Sequence, residues 1–308
     1  MADNYIVISP AKDEEAYIER TIASMARQTV RPSKWFIVDD GSIDRTPAII
    51  AAGAERHDWI IPVKTSRPAL GRGGRGRKLG SAEIRAFQAG YEMAKADKPD
   101  FLVKLDTDLD LPEDYFERLL ERFRADERLG IASGVYLELH EGNWQCVEMP
   151  DYHAAGASKM IRRRCFEDIG GFPLFPGWDT ADEIKAQARG WHTRHFDDIQ
   201  FLHLRPEGSA KGRLKTHILH GEAYYAYNGG GAFLSLKFLH RLFFGKPPVL
   251  GAILLLFGYL RASVLQRPRL VSDWEAKRYR SLLRERMRER VGLRFNLEES
   301  KTNIRRQT

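Results

Sequence analysis

Cysteine is scarce in this chain, and its scarcity excludes two kinds of small, cross-linked protein. Cys146 and Cys165 are the two cysteines among 308 residues. Two isolated cysteines can form neither a disulfide framework nor the ligand set of a structural zinc site. With 43% hydrophobic residues, the chain can instead bury one large core and an appended subdomain, and we expect a reducing compartment.

A secretory leader and a membrane-spanning run are missing as well. The opening MADNYIVISP has neither a basic segment nor an extended apolar one, so we predict no signal peptide. Residues 249–260 (VLGAILLLFGYL) are an uncharged, mostly apolar run of 12 residues. As a helix this run would extend over about 18 Å, too short for a hydrocarbon core of about 30 Å.

Basic and apolar residues are combined in the last third of the chain. Residues 233–244 place Lys237, His240 and Arg241 on one stripe of a helix, and residues 261–290 carry ten lysines and arginines against four acids. This pattern is typical of a helix in a membrane interface that is attracted to anionic lipid. A helical pair that packs on the rest of the chain or on a second subunit would give the same pattern. We predict peripheral contact with the inner, cytoplasmic face of the cell membrane.

A nucleic-acid-binding tail is the competing interpretation of the same charge. Arginines alternate with glutamates in RERMRER, residues 284–290. Such alternation is typical of a solvated helix rather than of a basic surface that binds the phosphate backbone of a nucleic acid. We therefore expect no nucleic acid partner.

Strand and helix patterns alternate over the first 140 residues. Five apolar runs read as strands, and amphipathic segments with helical spacing follow the first four of them. This alternation predicts an α/β fold with a mainly parallel, doubly wound sheet. Beyond residue 140 the pattern changes, and we read residues 144–149 as an antiparallel strand and 153–172 as a helix. The five predicted strands are residues 5–9, 34–40, 60–64, 100–106 and 131–139.

Acidic residues follow two of these strands. Asp39 and Asp40 end the second strand, and Asp106 and Asp108 end the fourth. Ligands of doubly wound sheets bind beyond the carboxyl ends of the strands. We therefore expect both acidic pairs to lie in one crevice.

The stretch VKLDTDLDLP crowds three carboxylates, Asp106, Asp108 and Asp110, directly after an apolar run. An EF-hand loop would need glycine at its sixth position, where Leu111 stands, and a preceding helix, whereas a strand precedes here. A solvated turn that caps the next helix is the plain structural interpretation. The third interpretation, which the strand end favours, is a divalent cation held by one or two carboxylates together with substrate phosphates.

Residues 5–46 (YIVISPAKDEEAYIERTIASMARQTVRPSKWFIVDDGSIDRT) resemble the opening of family 2 glycosyltransferases, and LDTDLDLP resembles their DxD element. FEDIGGF, GWDTADEIKAQARGW and FLHLRPEGS are similar to the family's acceptor-side motifs, so the resemblance extends over roughly residues 4–210. It implies a GT-A fold and transfer of a sugar from a nucleotide donor, usually with inversion and with Mg²⁺ or Mn²⁺. It also implies a nucleotide-sugar-binding half (1–140) and an acceptor-side catalytic half (141–225). The apolar and basic pattern described above predicts a carboxyl-terminal amphipathic and basic helical region (226–308).

The resemblance assigns nucleotide contacts to the ends of the first two strands. Pro10, Lys12 and Glu14 match the family's first group, although Lys12 replaces the commoner aromatic residue. Val38 and Asp40 match its base-contacting pair. A carboxylate such as that of Asp40 can accept the imino proton of uracil or guanine, and an Asx turn before the following glycine is the structural alternative.

The resemblance also implies the metal and diphosphate contacts. It assigns the metal to Asp106, Asp108 and Asp110, with Asp108 the principal ligand, and to His203. It gives donor contacts to Asp106 and Thr107 and a phosphate contact to Arg205. For His203, a satisfied core histidine is the alternative.

A cationic glycine-rich loop, GRGGRGRK at residues 71–78, precedes the third predicted helix. It could close over the donor phosphates with Lys78, or it could be a solvated surface loop. It is not a Walker A loop, because Arg77 stands where that motif has its lysine. A sugar nucleotidyltransferase, the nearest enzymatic alternative, would need such a loop directly after the first strand, and SPAKDEE contains no glycine.

Inverting transfer needs a base that takes the acceptor proton. The stretch GWDTADEIK offers Asp182, which directly precedes a helical run, and Asp179, which fits the family spacing counted back from Gly190. We prefer Asp182, and either residue could instead cap the helix.

We therefore predict a metal-dependent, inverting glycosyltransferase with a UDP-, GDP- or dTDP-linked donor. The expected acceptor is a saccharide or a lipid-linked saccharide of envelope or exopolysaccharide synthesis. The alternatives are a sugar nucleotidyltransferase and a non-catalytic basic protein that binds nucleic acid or membrane.

Overall fold

The chain forms two compact units, Met1–Leu219 and His220–Thr308. The structure is a computed structural model that describes residues 4–65, 81–175, 177–205, 213–244, 247 and 249–288. The boundary expected near residue 140 falls inside the first unit, whose sheet continues on both sides of it. The boundary expected near residue 225 lies close to the division between the units.

The first half of the sheet is parallel, as the alternation of strands and helices predicts. Its strands run in the order β3-β2-β1-β4, and every pairing among them is parallel. These strands are β1 (Tyr5–Ala11), β2 (Lys34–Asp39), β3 (Ile60–Lys64) and β4 (Phe101–Leu105), and the helices between them are α1 (Ile18–Ala26), α2 (Thr46–Arg56) and α3 (Ser81–Ala94).

Beyond β4 the sheet continues with strands of both directions. β8 lies between β4 and β6 and is antiparallel to both, β9 is parallel to β6, and β5 and β7 pair antiparallel with β9 and β6. These strands are β5 (Leu109–Asp110), β6 (Leu129–His140), β7 (Asn143–Cys146), β8 (Ser158–Arg162) and β9 (His192–His203), with helices α4 (Tyr115–Ala125), α5 (Arg163–Asp168) and α6 (Trp178–Ala188).

The helix predicted over residues 153–172 is wrong in its first half. Residues Ser158–Arg162 are strand β8, and a helix begins only at Arg163. The strand is buried on both faces, so its residues show no alternation of apolar and polar side chains. A short buried run of this kind cannot be told from a helical segment by periodicity.

Two hydrophobic cores cover the two faces of the sheet. Along β1, Tyr5 and Val7 pack in one core and Ile6 and Ile8 in the other, because successive side chains of a strand point to opposite faces. A strand buried on both sides reads as a continuous apolar run, as YIVIS does. The cores therefore fix the strands, and the loops at their carboxyl ends remain available to build a site.

The second unit is helical. It contains the second half of α7 (Arg213–Ala226), then α8 (Gly231–Phe244), α9 (Leu250–Val264) and a further helix through residues 273–288. The α7 helix approaches α9 closely at Gly221, where an added Cβ would lie 2.0 Å from the carbonyl oxygen of Leu255. Among the described residues, no helix has the length and apolar character needed to cross a membrane.

The β6–β9 pairing depends on a glycine. The register shifts between Gly134 and Val135, and a Cβ at Gly134 would lie 2.2 Å from the carbonyl oxygen of Ile199 and 2.9 Å from the ring of Tyr115. We expect Gly134→Ala to lower the free energy of unfolding by about 3 kcal/mol, because backbone cannot yield cheaply to an inserted methyl group. Chemical denaturation measures the change.

Gly156→Ala is the matched control. There an added Cβ would meet its nearest neighbours at 3.5 Å, an ordinary contact distance. Equal stability of the two variants would contradict the close packing of β6 on β9.

Candidate active site

A pocket of about 280 Å³ lies at the carboxyl ends of β1, β2 and β4. It confirms that the acids after β2 and β4 share one crevice, with Asp40 representing the first pair and both Asp106 and Asp108 the second. Most of the residues that the sequence assigned to the donor line it. The lining residues are Pro10, Ala11, Lys12, Glu14, Asp40, Ala82, Glu83, Ala86, Asp106, Thr107, Asp108 and Arg205.

Asp108 is held by two basic side chains, those of His203 and Arg205, at and just beyond the end of β9. The Nε and Nη2 atoms of Arg205 donate to its Oδ2 at 3.0 and 2.8 Å, and Nε2 of His203 lies 3.6 Å from its Oδ1. Burial acts to raise the pKa of Asp108, but hydrogen bonds and charge from His203 and Arg205 outweigh it and hold the pKa below its usual range. Asp108 is therefore ionised, as a metal ligand must be.

Asp106 has a different partner. The Nζ of Lys104 donates to its Oδ1 at 2.6 Å and also contacts Glu83. Burial raises the pKa of Asp106 to about 6, against the lowering effect of Lys104. The Lys104 side chain is 1% exposed, so this ion pair lies in the floor of the pocket.

Asp106, Asp108 and His203 form a group that could hold a divalent cation. One ligand atom from each lies within 4.8 Å of the others. The Nδ1 of His203 faces Oε1 of Glu138 at 3.3 Å, the arrangement in which a carboxylate orients a metal-binding histidine. Two carboxylates and one imidazole fit Mn²⁺ or Mg²⁺. Lys104 orients the carboxylate of Asp106, and Glu138 orients the imidazole of His203.

Asp110 does not belong to this group. Its carboxylate forms ion pairs with Arg20 of α1 at 2.8 Å and with Arg27, which directly follows α1, at 3.5 Å. In an alternating sequence one would expect Asp110 to point as Asp106 and Asp108 do, but residues 109–110 pair with β9 as a separate short strand. The pairing turns the third acid away from the other two.

Glu14 completes the charge network of the pocket. Its Oε1 accepts a hydrogen bond from Nη2 of Arg205 at 2.6 Å, and its Oε2 is buried without a hydrogen-bond partner in the described residues. Burial raises the pKa of Glu14 to about 7, although Arg205 counteracts the shift. A buried, unpaired carboxyl oxygen is costly, and a hydroxyl of a ligand in the pocket could satisfy it.

The first loop and the end of β2 form the other wall. The Nζ of Lys12 donates to the carbonyl oxygen of Gly41 at 2.9 Å, and Oγ1 of Thr65 donates to Oδ1 of Asp40 at 3.0 Å. Val38, the other predicted base contact, is fully buried in the core and does not line the pocket. Lys78, in the glycine-rich loop, lies outside the described residues.

The two candidate bases have different surroundings. Asp182 is fully buried, and its two oxygens accept hydrogen bonds from Nζ of Lys159 at 3.1 and 3.0 Å. Burial raises the pKa of Asp182 to about 8, with Lys159 acting in the opposite direction. Asp179 is half-buried, and an added Cβ on Gly156 would lie 3.5 Å from its Oδ2.

Gly156 connects Asp179 with the pocket. Its carbonyl oxygen accepts a hydrogen bond from Nζ of Lys104 at 2.9 Å, and Lys104 also holds Asp106. Gly156 and Lys104 thus stand between Asp179 and Asp106, and Asp179 is partly exposed to solvent. Asp182 has no exposed surface through which an acceptor hydroxyl could approach.

Four residues of this region were missed in the sequence. They are Lys104, Glu138 and Lys159, which form ion pairs with predicted site residues, and Glu83, which forms an ion pair with Lys104. Two of them carried a signal, because a lysine inside an otherwise apolar strand, as in FLVKL and SKMIR, requires a buried counter-charge. Glu83 and Glu138 lie in segments whose polar positions look like ordinary solvent-facing ones.

A comparison with known families agrees with this geometry. The family model of Glycosyl transferase family 2 matches residues 6–154. That range contains β1 to β7 and the loops that carry Glu14, Asp40, Asp106 and Asp108. No match was found among curated protein sequences.

Solved structures with the same fold include several glycosyltransferases. A mannosyltransferase from Pyrobaculum calidifontis, in complex with GDP-Man and Mn²⁺, is 16% identical, with a TM-score of 0.55 over 85% of this chain and 75% of that one. S. aureus TarS 1–349 in complex with UDP-GlcNAc is 16% identical, with a TM-score of 0.52 over 90% and 78%. Glucosyl-3-phosphoglycerate synthase from Mycobacterium tuberculosis, with Mn²⁺ and UDP, is 17% identical, with a TM-score of 0.51 over 73% and 78%.

The sheet order, the acids after β2 and β4 and the family match all lead to one assignment. The α/β fold is of the GT-A type predicted from the sequence. Residues 6–154 are a family 2 glycosyltransferase domain, and the chain is a glycosyltransferase.

Proposed function

We propose that the protein transfers a sugar from a nucleotide donor to an acceptor hydroxyl with the help of Mn²⁺ or Mg²⁺. The observation that carries the proposal is the clustering of Asp106, Asp108 and His203 at a pocket that is lined by the two aspartates together with Asp40 and Arg205. A cation site beside a guanidinium suits a diphosphate, and a carboxylate at the far wall suits a base with an imino proton. The solved relatives with GDP-Man or UDP and Mn²⁺ support this assignment.

The residues of the pocket have separate tasks in the proposed reaction. Arg205 would contact the diphosphate, for which its guanidinium is already oriented by Asp108 and Glu14. A cation bound by Asp106, Asp108 and His203 would neutralise the charge that develops on the departing diphosphate. Lys104 would keep Asp106 in place without itself contacting the donor.

We propose Asp179, rather than Asp182, as the general base. The acceptor oxygen attacks the anomeric carbon, the bond to the diphosphate breaks with its electron pair, and the acceptor proton passes to the carboxylate of Asp179. A base must come within hydrogen-bond reach of the hydroxyl it deprotonates. The half-buried Asp179 meets this condition, whereas the oxygens of Asp182 are enclosed and occupied by Lys159.

A thermal-shift panel tests the donor and metal assignment. We expect one of UDP, GDP and dTDP to raise the melting temperature, with a larger increase in the presence of Mn²⁺, because ligands that bind the folded state stabilise it by mass action. In Asp108→Ala the Mn²⁺-dependent part should disappear. Asp110→Ala is the matched control, since its carboxylate pairs with Arg20 and Arg27, and it should retain the shift.

The donor proposal would be contradicted if none of the three nucleotides stabilised the protein. A Mn²⁺ effect that survived in Asp108→Ala, or vanished in Asp110→Ala, would place the cation elsewhere.

Substitution of the two candidate bases separates their roles. Asp179→Asn should lower kcat by about 10²- to 10⁴-fold, the usual contribution of general-base catalysis, with the nucleotide-induced thermal shift unchanged. Asp182→Asn should retain kcat within about tenfold, because Asp182 is fully buried and both of its oxygens accept hydrogen bonds from Lys159, so that no acceptor hydroxyl reaches them. Steady-state kinetics with donor and acceptor give both values. The reverse ranking would identify Asp182 as the base.

We also propose that the second unit contacts a membrane, where a lipid-linked saccharide would serve as acceptor. Helix α9 exposes Leu250, Ile253, Phe257, Leu260 and Val264, which recur every three or four residues and so form one stripe. We call this stripe and its counterpart on α8 the apolar face. The α8 part consists of Leu236, Leu239 and Phe243.

The charges on α8 and α9 favour a lipid surface as the partner of the apolar face. Neither α8 nor α9 contains an acidic residue, whereas Lys237, Arg241 and Arg261 are cationic. The cations that the sequence placed on an outer stripe contact α7 instead: Nζ of Lys237 lies 5.0 Å from the ring centre of Tyr224, and Nη2 of Arg241 lies 2.8 Å from Nδ1 of His220. The outward side is therefore apolar, and the positive charge beside it is that of Arg261, whose half-exposed side chain also pairs with Glu222 at 2.8 Å. An apolar face flanked by a cation suits anionic lipid.

Vesicle sedimentation tests the membrane contact. Wild-type protein should sediment with vesicles of phosphatidylglycerol and phosphatidylcholine, and less with phosphatidylcholine alone. Ile253→Glu with Phe257→Glu should weaken binding at least about tenfold, because each removes roughly 1.5–3 kcal/mol of apolar burial. Met93→Glu, an equally exposed site in the first unit, should bind as wild type.

Unchanged sedimentation of the double variant would refute this part of the proposal. Size-exclusion chromatography provides the other outcome, since a dimer that the double variant dissociates would assign the apolar face to a second copy of the chain.

A further inference from the structure

Two buried lysines stand opposite each other in the middle of the sheet. Lys104 of β4 and Lys159 of β8 are paired in register, and their side chains are 1% and 0% exposed. The ring of Trp178 lies 5.4 Å from Nζ of Lys104 and 5.1 Å from Nζ of Lys159. Like charges directly opposite each other on neighbouring strands repel. Each ammonium therefore needs counter-charges of its own.

Lys104 takes its counter-charges from the donor pocket. It forms ion pairs with Glu83 and Asp106, which both line the pocket, and it donates to the carbonyl oxygen of Gly156. Its environment is thus continuous with the proposed cation site.

Lys159 takes its counter-charges from helix α6. Its Nζ donates to both oxygens of Asp182, to Oε1 of Glu183 at 3.3 Å and to the backbone carbonyl oxygen of Asp179 at 2.7 Å. These acceptors use all three N–H groups of the ammonium. The first turn of α6, which carries the proposed base, is therefore fixed to β8 through one atom.

Trp178 joins the two lysines and directly precedes Asp179. Its indole face attracts both ammonium groups, and its ring also packs on Phe172 at 4.8 Å between ring centres. A displacement of α6 would have to break these contacts together with the hydrogen bonds of Lys159. The distance between the acceptor-side carboxylate and the donor-side carboxylates is thus set by the lysine pair.

Stability alone does not account for a lysine at this place. Well-packed apolar side chains of similar volume stabilise an interior at least as well as a buried ion pair does. What Lys159 supplies and an apolar residue lacks is a directional bond to the carbonyl oxygen of Asp179.

We propose that Lys159 is a positioning residue for the transfer reaction, which holds Asp179 at a fixed distance from the donor held by Asp106 and Asp108. The inference rests on the proposed function of this site, and on Asp179 as its base. It adds a residue that touches neither donor nor acceptor and that determines where the base stands.

A pair of variants isolates the bond between Lys159 and Asp179. Asp182→Asn keeps Lys159 and its bond to the carbonyl oxygen. Lys159→Met combined with Asp182→Asn removes the ammonium together with the carboxyl group that accepts two of its hydrogen bonds, and Glu183 keeps its contacts with His153 at 3.0 Å and with the backbone N–H of Ala154 at 2.8 Å. The double variant therefore leaves no new unpaired charge in the interior.

We expect kcat of the double variant to be at least about tenfold below that of Asp182→Asn, because small misplacements of reacting groups are costly. The two variants should have the same KM for the donor within about twofold, because the donor pocket is intact in both. They should also show the same thermal shift with nucleotide and Mn²⁺. If Lys159 had a merely structural role, its substitution would change stability or donor binding and would not lower kcat selectively.

Equal kcat values of the two variants would overturn the inference. So would a double variant that does not fold or does not bind nucleotide, because Lys159 would then be a stability residue. Failure of the underlying assignment is recognised separately: if Asp179→Asn retained full activity, Asp179 would not be the base, whatever the double variant did.

Discussion

The compensation of charge at the carboxyl ends of β1 and β4 is the constraint on which the rest of the site depends. Glu14, Asp106 and Asp108 line one pocket, and three carboxylates at this distance repel one another strongly when water is scarce. Two cations compensate this charge: Arg205 bridges Glu14 and Asp108, and Lys104 forms an ion pair with Asp106. Because the cations come from β4 and from the end of β9, the acids can be assembled only when distant parts of the sheet are in place.

This division of partners gives neighbouring acids different chemistry. Burial raises the pKa of Asp106, while His203 and Arg205 hold the pKa of Asp108 below its ordinary range despite burial. The same contrast recurs on the acceptor side, where enclosure raises the pKa of Asp182 and leaves Asp179 accessible. Acids close in sequence thus acquire separate tasks through what surrounds them, as in other sites where two carboxylates divide the work.

The order of strands and helices up to residue 140 could be predicted because β1, β2 and β4 are apolar runs separated by amphipathic helices. The crevice could also be predicted, since acids that follow parallel strands meet at one edge. Strand β8 could not be predicted, because its residues are buried on both faces and show no alternation of apolar and polar side chains. The preference for Asp182 rested on its place directly before the helical run, while the spacing from Gly190 favoured Asp179, and the contact with Lys159 that encloses Asp182 comes from another strand. Pairings across 20 or more residues of sequence, such as this one, have no local signal.

The antiparallel direction of β8 brings the donor pocket and the proposed base together. A parallel strand beside β4 would place its own carboxyl end at the donor pocket, whereas β8 places its beginning there, with Leu105 opposite Ser158. The backbone N–H of Asp106 accordingly donates to the carbonyl oxygen of Ala157 at 2.7 Å. The loop that enters β8 therefore runs along the donor acids and carries Gly156 beside Asp179. One reversal of strand direction converts a nucleotide-binding sheet into a site with a second wall, and Lys104 and Lys159 face each other because of it.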